Sequence, residues 1–179
     1  MSSYFTLFPK LIYDNQGNGN SKLVPDIFRR IKLKSKISDN VSLYDTYDVQ
    51  DNEKPEDVAF KIYGSVDYYW VVCLVNDIKN RYYDWPLSNY AFEEFVNDKY
   101  DNPAAIHHYE VLQSSGRQTG EGPEDYSQFI EVNSDATGAQ SVSNYEYEQR
   151  LQNQKRQIKI LNPAYLSAFV EEFRKLIRK

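Results

Sequence analysis

At 179 residues and 41% hydrophobic content, the chain is long enough for one domain or two small ones, with a core that has little to spare. Its 26 acidic and 21 basic residues give a net charge of -5, which excludes the basic stripe that phosphate recognition demands, so nucleic acid is not an expected partner. The single cysteine, Cys73, excludes an internal disulfide. No basic-then-apolar leader opens the chain, and no apolar run approaches the ~20 residues of a membrane helix, so we expect a soluble protein with no membrane partner, kept in the cell that makes it or released by lysis.

An aromatic content of 15%, led by 16 Tyr, suits protein contacts, because Tyr buries a ring and keeps a polar tip. Tyr also fills small cores, and composition does not separate the two uses. The basic stretches, Arg29–Lys34 and Arg174–Lys175 with Arg178–Lys179, are short and read as structural or protein-facing; the second closes a predicted helix, where cations complement the dipole.

Residues 3–13 are apolar and aromatic but too few to bury themselves, so this opening arm must dock on something. A polar loop over 14–21 follows. Pro25-Asp26 and the spacing of Ile27, Phe28 and Ile31 predict a short helix over 23–31. After a polar link comes a strand over 44–49. Pro55 in a first turn with Glu53 and Glu56 nearby starts a helix whose inner face is Val58, Ala59 and Ile62 and whose stop is Gly64. Ser65 caps the next helix, in which the nearly continuous apolar run Trp70–Val75 predicts burial, ending near Asn76.

Ser88 starts a third helix with an inner face expected from Tyr90, Ala91, Phe92 and Phe95. Strands are predicted over 104–112 and 126–132, with a long link between them and a loop over 133–141. A polar helix runs from Asn144 to about Arg156, with few apolar positions, and so needs a partner or neighbouring element. Residues 157–161 alternate as a strand, and Asn162-Pro163 caps a last helix with a wide apolar stripe from Tyr165 to Ile177.

The Tyr47-Asp48-Val49 strand, the Asn52–Ala59 turn and helix, and Asn76 closing the second helix resemble a LysM module over about residues 44–86. That family is best known for gripping glycan. Here Asp51–Pro55 replaces the usual Gly-Asp-Thr turn, and Arg81–Pro86, without a glycine, stands where the closing strand belongs. These departures count against glycan as a ligand.

A second resemblance covers nearly the whole chain. Tyr4-Phe5 with Phe8-Pro9-Lys10, Asp26–Ile31, Lys54–Ala59 with Ile62-Tyr63-Gly64, Tyr69-Trp70, Asn76, Asp84–Ser88, and Asn144–Glu148 leading through Lys155-Arg156 into Ile158–Leu161 resemble, in that order, the baseplate wedge protein fifty-three family of T-even-type contractile-tailed bacteriophages. The resemblance implies a virion protein of the tail baseplate, assembled in the host cytoplasm, without catalysis or cofactor. It implies contacts with inner wedge subunits and with the adjacent wedge around the hub, the LysM-like part serving as a protein-binding module. The expected fold is α+β: an N-terminal docking arm and short helix over 1–42, a LysM-like βααβ-type module with the following helix over 43–100, and a C-terminal α+β part over 101–179.

Expected contact residues are Tyr4, Phe5, Leu7 and Phe8 in the arm, Glu53, Tyr63, Asp84 and Trp85 in turns taken as exposed, and Tyr145, Tyr147 and Arg150 on the polar helix. On this reading the arm is dispensable for folding. The alternative is a peptidoglycan- or glycan-binding LysM protein that stacks sugar on Trp85. An enzyme has no candidate constellation. Adjacent acids such as Glu93-Glu94, Glu124-Asp125 and Glu171-Glu172 point to different azimuths and read as solvated faces. His107-His108 on a strand should alternate faces and so cannot share a metal.

Overall fold

The computed structural model describes residues 3–29, 31, 41–112 and 129–178. The fold is α+β, as expected. The chain divides into two compact units: Met1–Pro86 with Lys155–Lys179, and Leu87–Gln154 between them.

In the first unit a 3-10 turn, Ser3–Leu7, leads into β1 (Lys10–Tyr13), which pairs antiparallel with β2 (Lys22–Pro25). Among the described residues, the helix expected over 23–31 is therefore not formed. Asp26 N donates to Pro9 O at 2.8 Å, extending the hairpin by one bond, and the Asp26 carboxylate then takes the Phe28 amide and the Arg29 guanidinium, which turns the chain. The hairpin loop is closed by Asp14, whose carboxylate accepts the amides of Gln16, Gly17 and Gly19. An acceptor of three amides is best ionised, and these bonds hold the carboxyl below the usual carboxylate range, Gly19's foremost.

β3 (Tyr44–Asp48) is followed by α1 (Pro55–Tyr63) and, after a 3-10 turn over Val66–Tyr68, by α2 (Tyr69–Val75). Pro55 opens α1 where a missing N–H costs nothing, and Lys54 N donates to the Asp57 carboxylate at the helix start. Gly64 stops α1 at φ 73°, a backbone that a side chain resists. The axis then turns by 118° into the Val66–Val75 stretch. Asn76 caps α2 with φ -98°, and the left-handed residue is the next one, Asp77, at φ 51°.

The partner of β3 comes from the far end of the chain. β7 (Gln157–Leu161) pairs antiparallel with it, Tyr44 opposite Leu161 and Asp48 opposite Gln157. Residues 81–86, where a closing strand would follow by local order, instead hold α3, a single turn over Arg81–Asp84. Asn80 caps that turn by accepting the Tyr82 amide. The first unit ends with α6 (Leu166–Ile177), after a 3-10 turn capped by Asn162.

Two apolar clusters fill this unit. One joins Val49, Val58, Ala59, Val72 and Trp85 to Ile158 and Ile160 of β7. The other joins Leu7 and Phe8 to Trp70, Val71, Val75, Leu161, Phe173 and Ile177. The opening segment is thus docked on its own chain: Phe8 is 6% exposed, and Tyr4 lies 5.0 Å from the Phe8 ring and 5.5 Å from Trp70. Two such buried side chains contribute about 1.5–3 kcal/mol each, so the segment is part of the core, and its removal is expected to cost stability rather than to spare the fold.

In the second unit α4 (Asn89–Lys99) is capped by Ser88, which accepts the Ala91 amide. Its buried residues are Phe92 and Val96; Tyr90, expected inside, is 74% exposed. β4 (Ile106–Leu112) is the middle strand of three, flanked by β5 (Phe129–Val132) and β6 (Gln140–Ser143). β6 begins inside the stretch expected to be loop. α5 (Asn144–Arg156) follows with the expected bounds. The 113–128 link and the acid pair at 124–125 lie outside the described residues.

Candidate interface

The four residues expected in exposed turns divide sharply. Glu53 and Trp85 are buried, at 8% and 6% exposure, and are brought together: Trp85 Nε1 donates to the Glu53 carbonyl at 2.8 Å. The Glu53 carboxylate accepts Tyr47 Oη at 2.9 Å, the Gln50 amide at 2.9 Å and Lys61 Nζ at 2.6 Å. Burial pushes this carboxyl up, but the Lys61 bond, the Gln50 amide and the Tyr47 hydroxyl outweigh it and hold the group below its ordinary value. These residues lock the turn between β3 and α1 to the exit of α3. Tyr63 is half-buried and donates to Leu161 O at 3.0 Å, and burial pushes its hydroxyl up to about 12. Asp84 is exposed and accepts the amides of Lys79 and Asn80, each at 2.8 Å, which hold its carboxyl low.

Of the arm residues, Tyr4 is half-buried against Trp70 and Phe173, Phe5 is 47% exposed, and Leu7 and Phe8 are core. In the second unit, Tyr145 packs on Phe92 and donates to Glu93 at 2.8 Å, and Tyr147 stacks on His107 with ring centroids 4.0 Å apart. Arg150 forms a two-pronged bond to Glu110, 2.8 Å on each side, and lies over the Phe129 ring. Arg150 holds the buried Glu110 carboxyl below its ordinary range. A second buried acid, Glu148, accepts Lys99 Nζ at 2.6 Å and Tyr100 Oη at 2.9 Å. The polar helix is thus stabilised by buried acids that each find a cation.

No catalytic arrangement emerges from these groups. Glu93 and Glu94 accept bonds from Tyr145 and Tyr90 on an exposed face, and Glu171 pairs with Lys175. Burial, then the nearby Glu56 charge, pushes the Cys73 thiol up to about 11, which leaves it a poor nucleophile. His107 and His108 do not alternate faces. β4 slips register between Ile106 and His108, and the bulge brings the two Nδ1 atoms to 2.9 Å, one ring donating to the other. Among the described residues, no group of three or more His, Cys, Asp or Glu side chains is placed to hold a metal ion.

What sequence reasoning missed is the exposed apolar surface of the β1–β2 hairpin and its exit. Ile12 is 75% exposed, Leu23 62%, Ile27 61% and Phe28 88%. The available signal is Pro25-Asp26, which starts a turn at Ile27 and Phe28 and competes with their helical spacing. Tyr82, Tyr83 and Tyr90 are also exposed. Scattered apolar side chains on a surface are ordinary, and of these four Ile12 and Leu23 stand opposite each other on the paired strands.

A family model described as "Base plate wedge protein 53" matches residues 3–111. The chain belongs to this family. The match runs from the docked opening segment through the hairpin, β3, α1, α2 and α4 to β4, and leaves β7, the strand that pairs with β3, outside it. A curated relative, baseplate wedge protein gp53 of Enterobacteria phage T4, is 34% identical over 101 residues, 55% of this chain and 52% of that protein. The chain therefore spans about half the length of the curated relative it matches. Among the described residues, no single helix is long and apolar enough to cross a membrane.

Proposed function

We propose that this chain is a structural subunit of a phage tail baseplate wedge. The family match over residues 3–111 carries the reading, and the exposed hairpin side chains Ile12, Leu23, Ile27 and Phe28 give it a physical basis. The subunit works without catalysis or cofactor. It contacts inner wedge subunits and joins neighbouring wedges around the hub, in particles assembled in the host cytoplasm. The order β3–α1–α2 and then β7 is a βααβ arrangement, which supports a LysM-like module used to bind protein, with the second unit inserted before its last strand. Contact residues come from Phe5, Asp84 and the exposed hairpin, while Leu7, Phe8 and Trp85 are buried in the two core clusters. Burial of Trp85 removes the sugar-stacking face on which the glycan-binding alternative depends.

Recovering the tagged chain from phage-infected cells and identifying what comes with it tests this. Tail subunits in stable complex with the chain are the expected result. Recovery as a free monomer overturns the proposal.

A further inference from the structure

The two edges of the β3–β7 sheet are treated differently. Along β7, Asn76 acts as a surrogate strand: its Oδ1 accepts the Lys159 amide and its Nδ2 donates to Lys159 O, each at 2.8 Å, and Tyr63 covers Leu161 O. Since both backbone groups of Lys159 face Asn76, Lys159 and its opposite residue Thr46 form a non-hydrogen-bonded pair. The Val49–Arg156 bond, three residues on, fits that alternation. Thr46 N–H and C=O therefore point out of the other edge. On that edge Gln50 Nε2 donates to Asp48 O at 2.9 Å, while Thr46 is exposed and, among the described residues, no further strand pairs there. Two exposed acids flank it, Asp45 on one face of the strand and Asp48 on the other, and neither forms an ion pair among the described residues.

We propose that the open edge of β3 is a strand-addition site, which takes an extended basic segment of another protein subunit through the backbone of Thr46. This rests on the assembly reading above and adds to it the mode of contact. Main-chain bonds give such additions their affinity, and alternate side chains give them their selectivity. Acids on both faces bar an acidic segment and favour Lys or Arg on each face of the incoming strand, spaced to meet Asp45 and Asp48. The same acids, in a chain of net charge -5, disfavour edge-to-edge pairing of two copies.

The test uses the full chain, co-produced with the tail subunits of its phage. Thr46→Pro removes the outward N–H and blocks the approach of a strand, yet proline is tolerated at an edge position whose N–H faces solvent. The wild type should recover tail subunits, its Thr46 amide should exchange more slowly in the complex than in the free chain, and T46P should lower recovery by about tenfold or more, as losing one or two backbone bonds requires. The double reversal Asp45→Lys with Asp48→Lys should do the same without touching the backbone. If the wild type recovers tail subunits but Thr46 exchange is unchanged and both variants recover them equally, strand addition is refuted and the assembly reading stands. A wild type that recovers no tail subunit refutes both. A complex holding only copies of this chain, with Thr46 protected, replaces the basic partner by self-pairing. Should T46P fail to fold, amide exchange in the wild type and the charge reversal decide the matter.

Discussion

Phe8→Ala distinguishes a docked opening segment from a free arm. The Phe8 ring is 6% exposed and lies in the cluster of Trp70, Phe173 and Ile177, with Tyr4 5.0 Å away. Truncation loses the transfer free energy of a buried ring and leaves a cavity that neighbours on α2 and α6 fill only in part, a cost of about 3–5 kcal/mol. Domain stabilities are about 5–15 kcal/mol, so this is a large share, and for a unit of this size it lowers the melting temperature by about 10–20 °C. Phe5, three residues earlier, is 47% exposed, and Phe5→Ala should cost only about 1 kcal/mol. Thermal melts of the isolated chain, followed by near-ultraviolet circular dichroism, compare the two. If Phe8→Ala melts within a few degrees of the wild type, or no lower than Phe5→Ala, the segment is not part of the core and the reasoning fails.

Arg150→Ala leaves the buried Glu110 carboxylate without its main partner; a fully buried pair broken this way costs about 3–5 kcal/mol, but Arg150 is 46% exposed, so about 1–2 kcal/mol is expected in chemical unfolding. Because Glu110 titrates below its ordinary 4.5, the stability that the pair adds is complete above that value and lost as pH falls through the lowered one, so the gap between wild type and variant should shrink on acidification below about pH 4.5. A gap that stays constant to pH 3 would assign the loss to packing instead. Asn76→Ala strips both partners from the Lys159 backbone and should cost about 1–2 kcal/mol, with faster exchange at the Lys159 amide as the specific sign. Gly64→Ala meets no atom within 4 Å, so its expected cost of about 1 kcal/mol comes from the positive φ alone, and a neutral melt would contradict it.

Local chemistry was readable and distant pairing was not. Pro55, Gly64 and Ser88 announce helix ends through groups within a few residues of each other and act as expected, while Asn162 caps the 3-10 turn that leads into α6 rather than α6 itself. The 157–161 strand was legible from its alternation, but its partner was not, because no local signal links it to Tyr44–Asp48 across an entire inserted unit. The hairpin was missed for a related reason: its loop is long, and Ile27 and Phe28 match helical spacing by accident. The burial of Glu53, Glu110 and Glu148 was hidden because carboxylates read as surface unless the cations that meet them are known. Of the candidate interface, the aromatic wealth was visible. Which aromatics serve the core and which face outward was set by the sheet pairing.

The pairing of β3 with β7 also orders events in time. A chain emerging from the ribosome presents Tyr44–Asp48 early, and its neighbour appears only when Leu161 has been made. The second unit, Leu87–Gln154, is continuous in sequence and can close on itself first. Once it does, the span that must be looped to bring the two strands together shrinks, and with it the entropy that opposes their meeting. The inserted unit is then a folding aid to its host: it shortens the route between two halves of a sheet that translation separates.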